Sequence, residues 1–415
     1  MKKLLSLTAL LTILAFGSSL FANGLSLNSI GTRALGMGGA FVGLANDGTA
    51  LYWNPAGLAK LNSSILVFGT DVIPFGTYKY KAAGIDAKTV TNHYISPNFF
   101  FNYRMNNLAL SFGVYVPAGL GAEWNGREVI ALTQGLGPFD WMSKIGVINF
   151  SPGIAYQVTE QFSIGVAANI YYAMFDLKRP HSQLLDLNQD GTPETLPQYS
   201  EESTGLGYGV TIGLKYDASK KLSVGATFRT ATKVTMSGTG ELLDLPMEMK
   251  SDFDRDVTWP MWIAGGLAYH PSKSVTLTLD AQYSNWKALD KLTAKYKQWN
   301  QESEFTLNWK DATQIRFGAE YAPCGMYAVR VGYYYDPAPA PDETLNFLFP
   351  SSTNHVVTGG FSYFMNNVTL EGSLEYLLGA DRDVDAYPNP LQPENMPGVH
   401  HLDVLAFSIG LTYNL

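Results

Sequence analysis

Asp186-x-Asn188-x-Asp190-Gly191 begins as a calcium loop does, with oxygen ligands at alternate positions and a glycine at the turn. Glu194 adds a carboxylate, but Pro197 stands six residues after the glycine, where a bidentate Glu belongs. A weak calcium site and a solvated turn both fit, and the missing ligand favours the turn. Gly36-x-Gly38-x-x-Phe41 lacks the third glycine and the preceding strand of a phosphate-binding loop. His400-His401 has no further ligands nearby, and Cys324 is the single cysteine, so neither an internal disulfide nor a Cys-based metal site can form. No HExxH, GxSxG or paired catalytic carboxylate motif occurs. The sequence therefore predicts no enzyme and no cofactor. One set of charges remains. Arg229, Arg316 and Arg330, with Asp280, Glu320, Glu371 and Glu375, are embedded in otherwise small and polar faces of alternating segments. The arginines could hold the head of a carboxylate ligand. Pairing with the acidic residues is the stronger reading.

The elements that carry these charges have period two. In Gly205 to Tyr216, Leu206, Tyr208, Val210, Ile212, Leu214 and Tyr216 share one face, and Gly205, Gly207, Gly209, Thr211, Gly213 and Lys215 the other. The same alternation runs through 162–172, 275–284 and 405–415. Short polar turns at Asn106-Asn107, Thr159-Glu160, Asp217 to Lys220, His270 to Lys273, Pro323 to Gly325 and Asn366-Asn367 alternate with long connections at 77–95, 118–143, 178–203, 238–257, 289–311, 337–354 and 379–401. Six short and seven long connections imply fourteen strands. Tight turns at one end and long loops at the other describe an antiparallel outer-membrane barrel, and in lipid such a sheet must close. A charge facing lipid at the midplane costs about 2–4 kcal/mol, so the charged face is the lumen. Tyr156, Tyr269, Tyr283, Trp286, Tyr363 and Tyr376 suit the interfacial girdles.

Composition agrees. Charged residues make up 15% of the 415, aromatics 13%, and there are 40 Gly. About 25% charged is usual for a soluble domain. The formal net charge of -8 lacks the basic footprint of a nucleic-acid binder. Lys2-Lys3, the apolar run Leu4 to Phe16 and the small residues Ser18, Ser19 and Ala22 read as a cleaved signal peptide, 1–22. Beyond it no stretch of 18 apolar residues offers a helical span. The expected organisation is a signal peptide at 1–22, a hatch at 23–62 that plugs the lumen, and an all-β, 14-stranded barrel at 63–415.

Residues 23–62 do not read as strand, and fourteen strands leave a lumen that something must fill. The run Ala34-Leu35-Gly36-Met37-Gly38-Gly39-Ala40 with Asn54-Pro55-Ala56 resembles the hatch of the FadL-type outer-membrane transporters of long-chain fatty acids and aromatic hydrocarbons. Gly119-Leu120-Gly121-Ala122-Glu123-Trp124 resembles that family's loop after the third strand. Arg330 to Asp336 and Pro341 to Thr344 resemble its eleventh strand and following loop. The resemblance spans the whole mature chain. It departs at Leu415, where such barrels usually end in an aromatic residue recognised by the barrel-assembly machinery. It implies a monomeric 14-stranded barrel among outer-membrane lipids, apolar capture sites, an internal pocket, and a side opening near a kink in the third strand, about Leu108 to Pro117. Gly113 and Pro117 are the residues there able to disturb pairing. Pro117 could equally just end the strand.

A fatty acyl tail prefers an apolar groove to water by ~0.8 kcal/mol per methylene. Candidate groove walls lie in the long connections: Leu132, Leu136, Phe139, Trp141 and Met142, then Leu242, Leu243, Leu245, Met247 and Met249. Exposed apolar clusters there point to binding, and loop-on-loop packing is the plain alternative. The leading function is passive inward transport of fatty acids or aliphatic or aromatic hydrocarbons. A docking or shuttle role in protein secretion on the same fold is the alternative. A membrane-embedded hydrolase comes third, since no His falls in the middle of a lipid face.

Overall fold

The computed structural model describes residues 24, 26–27, 29–386 and 395–415, so the proposed signal peptide lies outside the described residues. The strands are β1 (Ser64–Tyr80), β2 (Ile85–Lys88), β3 (Tyr94–Met105), β4 (Leu108–Trp124), β5 (Trp141–Gln157), β6 (Phe162–Pro180) and β7 (Gln198–Ser219). There follow β8 (Leu222–Arg229), β9 (Thr232–Leu243), β10 (Met249–Trp259), β11 (Trp262–Ser272), β12 (Val275–Ser284), β13 (Lys291–Tyr296) and β14 (Gln301–Thr306). The last are β15 (Ala312–Tyr321), β16 (Tyr327–Asp336), β17 (Asn354–Met365), β18 (Val368–Gly379), β19 (Arg382–Val384) and β20 (Gly398–Asn414).

Several of these are halves of one stave. β8 and β9 both pair with β7, and β10 and β11 continue each other across Pro260, which cannot donate to a ladder. β12 with β13, and β14 with β15, form two more divided staves. β2 and β19 are short flaps on the outer ends of β1 and β20. Fourteen antiparallel staves result. β1 and β20 pair continuously from Ser64↔Asn414 to Lys79↔Val399, so the sheet has no free edge.

The short turns fall at or beside the predicted places. Asn106 and Asn366 sit at φ 54 and 47, a conformation Asn tolerates better than most residues. The predicted long connections are shorter than expected, because staves continue far past the bilayer. Both ends of 118–143 and 178–203, and most of 238–257, are strand. On β10, the exposed Asp252 and Asp256 and the half-buried Asp254 stand opposite Thr239, Thr235 and Ser237 of β9. So many outward carboxylates place this part of the wall clear of hydrocarbon.

The alternation sorts as predicted. Leu206, Tyr208, Val210, Ile212, Leu214 and Tyr216 are all exposed on the outer face. Tyr156, Tyr269 and Tyr363 are exposed near the short turns, as a lower girdle requires. Trp286 is a correction: it is fully buried, stacked edge-on against Trp309 at 5.4 Å. The short 3-10 turn Trp286–Ala288 rotates it inward, which strand alternation could not foresee.

Inside the ring, residues 29–62 form a compact hatch with two short helices, α1 (Thr32–Gly36) and α2 (Ala50–Trp53), and a 3-10 turn over Pro55–Lys60. Ile30, Leu35, Phe41, Val42, Leu51 and Trp53 of the hatch are almost wholly buried. A second apolar cluster fills the outer end of the barrel. There Phe347 contacts Trp124 at 4.9 Å, Trp141 at 5.2 Å and Tyr78 at 5.3 Å.

Candidate functional site

The hatch seats on lumenal positions that lack side chains. A Cβ at Gly165 would lie 2.3 Å from the Pro55 carbonyl carbon, at Gly213 2.2 Å from Asn54 Oδ1, and at Gly225 2.2 Å from Val42 O. At Gly332 it would lie 2.2 Å from Gly38 N. The wall is thus stripped to backbone where the hatch touches it. Gly38 and Gly39, at φ +64 and +65, turn the hatch chain in a conformation other residues resist. Asn54 Nδ2 donates to Val42 O and Leu214 O, both at 3.0 Å, and its Oδ1 accepts from Ala56 N at 3.2 Å. Pro55 opens the following 3-10 turn, where its missing N–H is no loss.

Charges complete the seat. Arg33 of α1 holds Glu320 by two parallel bonds of 2.8 Å, and Arg330 Nε donates to the same carboxylate at 2.6 Å. Arg330 also bonds Ser362 Oγ at 2.6 Å, and Ser362 donates to Glu371 at 2.9 Å. Arg316 donates to Gly38 O at 3.0 Å and Gln314 at 2.7 Å. Arg229 donates to Tyr52 O at 2.7 Å, with its guanidinium 4.2 Å from the Tyr52 ring centroid and 4.6 Å from that of Trp262. Asp280 accepts from Val42 N at 2.6 Å. In the hatch itself, burial pushes the Asp47 carboxyl up, against the opposing pull of Arg33 and Thr49.

The wall is interrupted in one place that matters. β3 and β4 pair from Met105↔Leu108 up to Phe99↔Val114, and there the ladder stops. Above it β3 stays with β1 as far as Val72↔Tyr94, while β4 stays with β5 after a register shift between Tyr115 and Ala118. Pro97, without a donor, sits at the parting. Substitutes take the freed groups. Val116 N donates to Asn98 Oδ1 at 3.0 Å, Leu27 N to Pro117 O at 3.1 Å, and Ser26 bridges Ala118. Higher up, Val90 N reaches Glu123 O at 2.8 Å and closes the wall again.

Behind this gap lies a cavity of about 590 Å³. Leu27, Ile30, Val72, Val147, Leu377 and Val404 supply much of its apolar lining. Ile95 and Pro97 also line it, and Ile95 is 72% exposed, so the cavity reaches the outer face of the barrel. Polar groups occupy two regions. Ser29, Asp336, Ser351, Ser352, Asn354 and Glu375 are buried, whereas His93, Lys144 and Asp176 lie nearer the outside.

A family profile described as "Outer membrane protein transport protein (OMPP1/FadL/TodX)" matches residues 13–414. The chain belongs to this family. Its barrel is accordingly an outer-membrane one. Outer membrane protein P1 of Haemophilus influenzae is 23% identical over 90% of both chains. Among solved structures, a FadL homologue of Pseudomonas aeruginosa superposes with a TM-score of 0.78 at 15% identity, covering 94% of this chain and 100% of that one. The toluene transporter TodX of P. putida superposes at 0.75 and 17%, covering 94% and 99%. At these identities the two structures speak for the fold.

Against that FadL-type frame, the residues singled out from sequence divide clearly. Gly36, Gly38, Gly39, Asn54, Pro55 and Ala56 all lie in the lumenal hatch and make its contacts to the wall. Gly119 to Trp124, expected as a loop, continue β4. Gly113 keeps its pairing on both sides, and a Cβ there would lie 2.9 Å from Leu51 of the hatch. Pro117 stands within the register shift. The loop residues Leu132, Leu136, Phe139, Trp141, Met142, Leu243, Leu245 and Met247 do not line the cavity. Trp141 and Leu242 are buried in the outer aromatic cluster, with Leu132, Leu245 and Met249 packed on it, while Leu136 and Met247 are exposed. Arg229, Arg316 and Arg330 do not line it either. In the 186–191 loop, Asp190 N and Gly191 N donate to Asp186, and Asn188 Nδ2 donates to Asp190, as in a self-satisfied turn. Among the described residues no group of three or more His, Cys, Asp or Glu is placed to hold a metal. Sequence reasoning missed Pro97 and Asn98. A proline inside an alternating strand was the available signal.

Proposed function

We propose that this barrel carries small hydrophobic compounds, fatty acids or hydrocarbons, passively from outside, holds them in the internal cavity, and releases them sideways through the β3–β4 gap into the membrane. The observation that carries this reading is the continuity of a largely apolar cavity with the one gap beside β4, at Pro97, Asn98 and Val116. The physical reason for a sideways exit is the cost of water. A molecule that gains ~0.8 kcal/mol for each methylene it buries gives that up again if it must cross the periplasmic end. The hatch stands in that direction, bonded to the wall on many sides, and the gap leads instead to acyl chains. The same family includes a toluene transporter, which agrees with cargo of this class.

The test is to tie the gap shut. Ile95→Cys and Val116→Cys, in a Cys324→Ser background, would be joined by a short bifunctional thiol reagent in cells lacking other uptake routes. Joining is expected to abolish most uptake of a labelled alkane, fatty acid or toluene, while binding to the purified barrel persists. Full uptake by the joined protein would rule out this exit.

A further inference from the structure

We propose that the cavity selects uncharged amphiphiles, an apolar body bearing a hydroxyl or similar donor, over carboxylates of the same length. This rests on the cavity being the ligand site, and it names the class of ligand. The buried end of the cavity offers acceptors. Glu375 and Asp336 both line it, at 6% and 2% exposure. Glu375 Oε2 accepts from Ser29 Oγ of the hatch at 3.2 Å. Asp336 accepts from Gln314 Nε2 at 2.5 Å. Ser351 also lines the cavity, and its buried Oγ has no hydrogen-bond partner among the described residues. A ligand hydroxyl can donate to a carboxylate there and accept from Ser351, and bonds to ionised acceptors are the strong ones.

The cations that would welcome a carboxylate are engaged elsewhere. Arg316 donates through its two terminal nitrogens to Gly38 O and Gln314, Arg330 donates to Glu320 and Ser362, and neither arginine lines the cavity. At pH 8 a second anion beside Glu375 and Asp336 would meet like charge in a buried site, where repulsion is less screened than in water. Lys144 and His93 stand at the outer end. Lys144 is exposed and faces Asp176 across the β5–β6 ladder, and His93 Nδ1 lies 2.7 Å from Asp71. Both side chains thus already have an acidic neighbour. A carboxylate held at the mouth would also press its tail against the buried acceptors, which would lose any donor in exchange.

The experiment uses the full-length barrel purified in detergent and displacement of N-phenyl-1-naphthylamine by 1-dodecanol, dodecanoate and dodecane at pH 8. Dodecanol is expected to displace the probe at about tenfold lower concentration than dodecanoate, a difference one charge-assisted bond can supply. Glu375→Gln should narrow that ratio, and Ser351→Ala should weaken dodecanol while leaving dodecane unchanged. Glu375→Gln keeps the shape and can still accept from Ser29, so folding is preserved. Dodecanoate binding as well as dodecanol, whether or not Lys144→Gln weakens it, would overturn the selectivity while leaving transport standing. Failure of all three compounds to displace the probe would overturn both.

Discussion

At the scale of residues, the lumen is governed by two substitutions of ordinary chemistry: glycine where the hatch touches the wall, and paired charge where it is locked. Glu320 shows the second. It serves Arg33 of the hatch and Arg330 of the wall at once, with all three side chains largely buried. Removing one member of such a set leaves uncompensated charge, so Glu320→Ala should destabilise the barrel by about 3–5 kcal/mol in a urea folding titration into bilayers. An unchanged midpoint would show that water reaches the arginines. Gly225 shows the first. Gly225→Val drives a side chain into the Val42 carbonyl and should cost about 1–3 kcal/mol. Gly265→Ala is the control, because nothing lies within 4 Å of its Cβ position, and its midpoint should stay within ~0.5 kcal/mol of the parent. The sequence showed that these charges face inward. It did not show that Arg229, Arg316, Asp280 and Glu375 look to the hatch rather than to one another, because their partners are hundreds of residues away or on backbone.

At the scale of elements, β4 decides where the wall can open. Its lower half is laddered on both sides, and its upper half only on β5. Amides of Leu110 to Val114 should therefore exchange slowly with deuterium, and those of Val116, Ala118 and Gly119 faster by orders of magnitude. Asn98→Ala removes the acceptor of Val116 N and should accelerate that amide further without altering Leu110 to Val114. Equal protection along the strand would mean that the gap closes in the membrane. The outer cluster is a second element-scale feature. Phe347 is 1% exposed and bridges three aromatic rings, so Phe347→Ala should cost about 3–5 kcal/mol and loosen the loops around Trp124 and Trp141. Of the residues chosen from sequence as groove walls, Trp141, Leu242, Leu132, Leu245 and Met249 belong with this cluster, whereas Leu136 and Met247 are exposed. An apolar run in a long connection looks the same whether it covers a ligand or another loop.

At the scale of the molecule, the alternation of apolar and small side chains had one answer. Val210→Arg, on the exposed lipid face, should cost about 2–4 kcal/mol if it lies near the midplane, and less in proportion as it nears the interface. No loss would place that stave outside the bilayer. The strand count, the direction of the faces, the short turns and the hatch were all legible along the chain, because period two and turn chemistry are local properties. Closure followed from them, since lipid leaves no backbone group unpaired. The gap between β3 and β4, the cavity behind it and the choice of partners for each buried charge were settled only by tertiary structure. They depend on which strands run out of register and which side chains arrive from distant parts of the ring, and no spacing within one segment encodes that.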